Sequence, residues 1–193
     1  MRTEIRLHPS FFVFWAVFCL LDQEGYLKYF VAAAGLHELG HAAAVYLCGG
    51  RVICLRLAGP GACMEVVHPR GYQGDFVIAA GGPATGAIAA LVSAALGWTT
   101  FCGANTLLTV LNCLPILPLD GGCMMASLLC MTPLGIRGED MLRAFSRIGA
   151  LFVALAGLAV LWQTRSNAAL LVIGMILLFG KDGVPCKLRR DCV

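Results

Sequence analysis

The chain has 193 residues, 59% of them hydrophobic and 13% charged, with a formal net charge of +3 and a mean hydropathy of +0.82. Soluble domains run near ~25% charged, so this composition excludes a water-soluble globule. A pI of 8.4, with no basic run interleaved with aromatics, gives no sign of a nucleic-acid partner. What remains is an all-α polytopic membrane protein, one integral membrane unit over residues 1–193.

A membrane helix needs ~20 predominantly apolar residues. Six candidate segments follow in chain order: about 10–22, 29–48, 75–97, 102–118, 145–162 and 167–181. The first follows Arg2 and Arg6 like a signal peptide, but Asp22-Gln23-Glu24 offers no small-residue cleavage site, so it is read as a membrane segment. Between the second and third, residues 51–68 place β-branched runs either side of Ala58-Gly59-Pro60-Gly61, the pattern of a β-hairpin. Gly82 to Gly86 give the third segment a small-residue face for close helix approach. The fourth runs into Pro115 and Pro118, so a broken helix is expected there. Residues 132–144 are the most polar interior loop, and 182–193 form a short basic tail that reads as an anchor near anionic lipid. With six spans, all of the 14 Lys and Arg residues except Lys28 and Arg165 fall on the side of the termini. The positive-inside rule then puts both termini in the cytoplasm. The ten cysteines show no CxxC pair and read as reduced small hydrophobes.

The chemistry sits in the second segment. His37-Glu38-Leu39-Gly40-His41 matches the zinc pattern HExxH. On a helix the histidines, at i and i+4, leave from one face and can share one metal, with Glu38 beside them as a base. Three ionisable groups in one apolar segment are too costly to be filler. A catalytic zinc site needs a third protein ligand and an open position. Asp120 is the candidate, in Asn112-Cys113-Leu114-Pro115-Ile116-Leu117-Pro118-Leu119-Asp120-Gly121-Gly122, where the prolines interrupt the helix and the glycines permit a sharp turn. A turn or helix-capping role for Asp120 is the competing reading. Both half-sites fall near the cytoplasmic ends of inward-running segments, at similar depth. His68, beside Pro69 at the end of the hairpin, reads as a surface histidine, and His8 as interfacial.

HELGH on an early membrane helix and NxxPxxPLDGG on a later one resemble the site-2 protease family of intramembrane zinc metalloproteases. The absence of long extra domains is similar to its compact bacterial branch, which contains the sporulation protease that processes a sigma-factor precursor. The resemblance implies one catalytic Zn2+ held by His37, His41 and Asp120, with Glu38 as the catalytic base and Asn112 holding the substrate backbone. For Asn112 a helix–helix hydrogen bond is the alternative. Gly82-Pro83 resembles a glycine-proline element of the family's third segment, while Gly86 stands where an asparagine is often seen. The hairpin resembles the family's membrane-associated β element. No PDZ or nucleotide-sensing domain is expected, so any such regulation would come from a membrane partner or be absent. The implied function is regulated intramembrane proteolysis near the cytoplasmic face of a bacterial cell membrane. A sigma-factor precursor, an anti-sigma factor or a signal-peptide remnant are all open as substrates. Two other classes compete: a non-catalytic scaffold of the same fold binding transmembrane clients, and a metal carrier using the same side chains as a transit site.

Overall fold

A computed structural model describes residues 4–22, 25–58, 61–133, 135–164 and 169–179. Three strands, β1 (Glu4–Leu7), β2 (Arg51–Ala58) and β3 (Gly61–Val67), accompany seven helices among these residues: α1 (Pro9–Leu21), α2 (Leu27–Leu47), α3 (Gly71–Ala95), α4 (Thr99–Asn112), α5 (Asp120–Cys130), α6 (Gly135–Thr164) and α7 (Ala169–Phe179). The two carboxylate oxygens of Asp22 accept the backbone N–H groups of Tyr26 and Leu27, each at 2.9 Å, which satisfies donors that the start of α2 would otherwise leave open. At its other end Gly49 adopts φ +72°. The N–H groups of Gly49 and Gly50 return to the carbonyls of Tyr46 and Val45, and this left-handed glycine stop turns the chain into β2.

The sheet order is β1-β2-β3, with β1 parallel and β3 antiparallel to β2. The hairpin expected over 51–68 is therefore present as β2 and β3, while its Gly59-Pro60 turn lies outside the described residues. β1 was not expected. Glu4-Ile5-Arg6-Leu7 alternates polar and apolar residues, but over only four positions, all of them exposed, and pairing with Cys54 to Leu57 makes it a strand.

α3 is the hub of the helices: α2, α4 and α5 all pack on it, α6 packs on α5, and α7 on α6. The buried residues are small. Ala33, Ala44, Ala79, Ala104, Ala126, Ala150 and Ala154 make up much of the core, and the largest fully buried side chains are Val45, Asn105, Cys48 and Ser93. Where helices share an apolar solvent with their own surfaces, close backbone approach and not apolar burial draws them together. The outward surface carries the large residues, among them Leu91, Phe145, Phe152 and Trp162. α2 and α3 meet backbone to backbone. A Cβ at Gly81 would lie 2.6 Å from the Gly40 carbonyl oxygen and 2.7 Å from the Ala44 Cβ, and one at Gly40 would strike the Gly81 carbonyl and Thr85.

Each expected membrane segment has a helix in it, but the boundaries shift. Among the described residues, two helices, Gly71–Ala95 and Asp140–Gln163, are long and apolar enough to cross a membrane by length and composition. The expected count of six spans is therefore not matched at that standard. α1 and α4 have 13 and 14 residues and α7 has 11 described ones, while α2 has 21 but carries the polar HELGH. The fourth segment stops at Asn112 instead of 118, and α5 starts at Asp120 as an element the sequence reading did not separate. The polar stretch 132–144 is helical from Gly135 onward, because it forms the first turns of the 30-residue α6. The basic tail 182–193 and the end of the sixth segment lie outside the described residues.

Between α4 and α5 the chain folds back on itself. The side chain of Ile116 is buried and meets α6 at Gly149, and the Leu117 N–H donates to Ser146 Oγ of α6 at 3.0 Å. Gly40→Val is expected to lower stability by about 1–3 kcal/mol through overpacking against α3, read as a fall in thermal midpoint in detergent. Ser146→Ala is expected to cost about 1–3 kcal/mol by orphaning the Leu117 N–H. An unchanged midpoint in the same assay would show that this bond holds nothing.

Candidate metal centre

α2 delivers both histidines. One helical turn apart, their rings stand 4.8 Å apart, centroid to centroid, and nearly perpendicular at 81°, with the two Nε2 atoms facing each other at 3.2 Å. Asp120, the first residue of α5, reaches the same point from 83 positions away: Oδ2 lies 2.8 Å from His37 Nε2, and Oδ1 lies 3.3 Å from His41 Nε2. Two features aim it there. A Cβ at Gly122 would lie 2.6–2.7 Å from the backbone of Ile116 and Leu117, and one at Gly121 would strike the backbone of Cys113 and Leu114. The Asp-Gly-Gly turn can therefore lie flat on the chain that precedes it. The carboxylate also sits in the first turn of a helix, where the backbone dipole favours an anion.

His37, His41 and Asp120 form a group of metal-ligating side chains whose donor atoms all lie within 4.8 Å of one another. The donor set fits zinc. Tetrahedral zinc with Zn–N bonds near ~2.0–2.1 Å places its ligand atoms about 3.3 Å apart; the two imidazole Nε2 atoms are 3.2 Å apart, and the carboxylate brings Oδ2 to 2.8 Å from one and Oδ1 to 3.3 Å from the other. Protonation supports the same reading. His41 Nδ1 lies 2.7 Å from the Ile78 carbonyl oxygen of α3. A carbonyl only accepts, so Nδ1 carries the proton and the Nε2 lone pair points at the shared space, the outer-shell arrangement of histidine metal ligands. His37 is 5% exposed, and its Nδ1 is buried without a hydrogen-bond partner among the described residues. On the α3 side, the Ile78 carbonyl and the bare Cα of Gly82 face the imidazoles. A Cβ at Gly82 would meet Nε2 of both rings, at 2.6 Å from that of His37.

The other expected residues are placed as follows. Glu38 is half-buried on α2, within electrostatic range of His41, His37 and Asp120. Asn112 is the last residue of α4; its side-chain amide donates to the Leu108 carbonyl at 3.0 Å, which leaves its Oδ1 for other partners. The alternative of a helix–helix bond for Asn112 finds no such bond among those of the described residues. His68 is not a surface histidine. Its side chain is 1% exposed and pairs with Asp75 of α3 at 2.6 Å, because Gly74 leaves room for the ring to lie against the helix. Sequence reasoning also missed the Ile78 carbonyl, a backbone group with no residue signature, and the direct approach of Gly82 to the histidines, of which the small-residue face Gly82 to Gly86 gave only the general sign.

No protein-family model matches the chain, and no curated protein matches it. Among solved structures it is similar to the site-2 protease from Methanocaldococcus jannaschii, with a TM-score of 0.71 and 22% identity over 91% of this chain and 88% of that one. At that identity the likeness speaks for architecture. The chain has the fold of the site-2 protease family, with its own two histidines and aspartate converging inside it.

Proposed function

We propose that the protein is an intramembrane zinc metalloprotease that hydrolyses peptide bonds of membrane-embedded or membrane-adjacent protein segments. One observation carries this reading: two imidazoles from α2 and a carboxylate from α5 turn their donor atoms into one space, and the only other ionisable side chain of the HELGH run is a carboxylate beside them. The apolar outward surface, two helices long enough to span and the shared fold support the membrane setting. On the six-span layout Lys and Arg gather on the side of the termini, which would put the termini, and the opening of the site, toward the cytoplasm.

His37, His41 and Asp120 would hold the metal. When bound, zinc supplies Lewis acidity, which brings the pKa of water toward ~7 and polarises a carbonyl. Glu38 takes the proton of the attacking water and returns it to the leaving nitrogen. Ile78 keeps His41 in the tautomer that can ligate. The Asn112 Oδ1, free of the intrahelical bond, is suited to accept a substrate backbone N–H. A helical substrate hides its carbonyls in its own hydrogen bonds and must be held extended. β2 is covered by β1 on one side and β3 on the other, so β3 is the strand of the hairpin whose outer edge can receive a substrate strand by β-augmentation.

Co-expression with candidate membrane clients tests the reading. Glu38→Gln is expected to reduce cleavage by about 10²–10⁴-fold, the usual share of general acid–base catalysis, while the purified variant keeps one zinc per chain by elemental analysis. Asp120→Ala and His37→Ala are expected to lose the metal. Cleavage that survives Glu38→Gln would overturn the protease mechanism, and client binding without cleavage in the wild type would point to a scaffold. Proline placed in turn at Glu65 and at Val66 interrupts each edge of β3, and the substitution on the edge facing away from β2 is expected to abolish cleavage without altering zinc content.

A further inference from the structure

We propose that Gly82 and Pro83 of α3 are positioning residues of the metal centre: Gly82 keeps open the space in front of the two imidazole Nε2 atoms, and Pro83 turns the Ile78 carbonyl out toward His41. The proposal rests on the metal-site reading above and extends it from the ligands to the helix behind them.

Gly82 is buried, and the place where its Cβ would stand is already bounded by ligand atoms. That Cβ would lie 2.6 Å from His37 Nε2 and 2.8 Å from His37 Cε1, and closer still to His41 Nε2, where real Cβ atoms essentially never come under 3.0 Å. The rings cannot step aside without loss. His37 would leave Asp120 Oδ2 at 2.8 Å, and His41 would leave the Ile78 carbonyl at 2.7 Å. The neighbouring glycines of α3 answer to other contacts: Gly81 to the Gly40 backbone and Ala44, Gly86 to the Thr109 hydroxyl. Among the described glycines, Gly82 alone meets the histidine nitrogens that face the shared space, so a methyl group there would fill the volume the metal requires.

Pro83 lies inside α3 and is buried. It has no N–H, so the Ala79 carbonyl four residues earlier loses its helical donor, and the ring crowds that carbonyl. The ladder is therefore loosened at the carbonyl next to Ile78, and the Ile78 oxygen, whose helical donor is the Gly82 N–H, also accepts the proton of His41 Nδ1 at 2.7 Å. Restoring an N–H at position 83 would draw this turn back toward regular helix and away from His41.

The test uses the full-length protein in detergent, stripped of metal and titrated with Zn2+ against a chelator, and with Co2+ for its visible spectrum. Wild type is expected to bind one ion. Gly82→Ala is expected to weaken binding at least 100-fold and to lose the rise in thermal midpoint that zinc gives the wild type, with the metal-free midpoint not lowered. Pro83→Ala is expected to weaken zinc binding about 10–100-fold, the range for loss of an outer-shell partner, and to alter the intensity of the cobalt bands. Gly35→Ala, a helical glycine of α2 with open space beside it, is expected to bind as the wild type does. Wild-type affinity and an unchanged cobalt spectrum in both α3 variants would overturn the proposal. So would a Gly82→Ala protein that is less stable without metal but binds zinc normally, since that is the behaviour of a packing glycine. If Gly82→Ala does not fold, the affinity and spectrum of Pro83→Ala decide. A wild type that binds neither ion would sink the metal reading itself, a failure distinct from these.

Discussion

The contact on which the rest depends is the backbone crossing of α2 and α3 at Gly40 and Gly81. Neither position has room for a side chain, and the closeness has a chemical consequence. With α3 pressed against α2, the Ile78 carbonyl comes within 2.7 Å of His41, and the imidazoles of His37 and His41 face the bare backbone at Gly82. A larger residue at the crossing would separate the helices and remove both the tautomer lock and the enclosed space. The glycine of HELGH is thus part of the fold, while its histidines belong to the candidate metal site.

The third candidate ligand is a problem of delivery. Asp120 stands 83 residues from His37 and belongs to a different helix. It arrives because α4 stops at Asn112, the chain doubles back through residues 113–119, and α5 begins at the carboxylate itself. The bend is held by Ile116 in the core against Gly149, by the Leu117 bond to Ser146, and by Gly121 and Gly122, which let the two arms lie in contact. A carboxylate among apolar helices would be expensive alone. Two imidazoles and the start of a helix surround this one, the setting in which an ionised group and a divalent cation stabilise each other.

The sheet stands on the same frame. His68, at the exit of β3, packs its ring against Gly74 and binds Asp75, which ties the end of the hairpin to the start of α3, while the buried Cys48 Sγ points at the Gly74 carbonyl from the end of α2. The hairpin is therefore fastened to α3, which backs the candidate metal site, and α3 in turn to the end of α2, which carries the two histidines. β1 covers one side of β2, so the outward pairing capacity of the hairpin lies with β3. A strand fixed relative to the metal ligands is what an extended substrate segment would require.

Composition and local pattern determined the class of protein, the helix carrying HELGH, the hairpin at 51–68, the break near Pro115, and the residue types able to hold zinc, because each follows from periodicity, turn chemistry or motif spacing within a few residues. They could not determine that α5 is a separate helix, that the polar stretch after Thr132 winds into α6, or that Glu4–Leu7 forms a strand, since those outcomes depend on partners distant in sequence. The same holds at the site. HELGH announces two candidate ligands because i and i+4 share a helix face. The approach of Asp120, the burial of His68, the proton acceptor at Ile78 and the empty place at Gly82 are decided by how closely three helices pack, and a backbone carbonyl or a missing side chain leaves no mark on sequence until the neighbouring helix is in position.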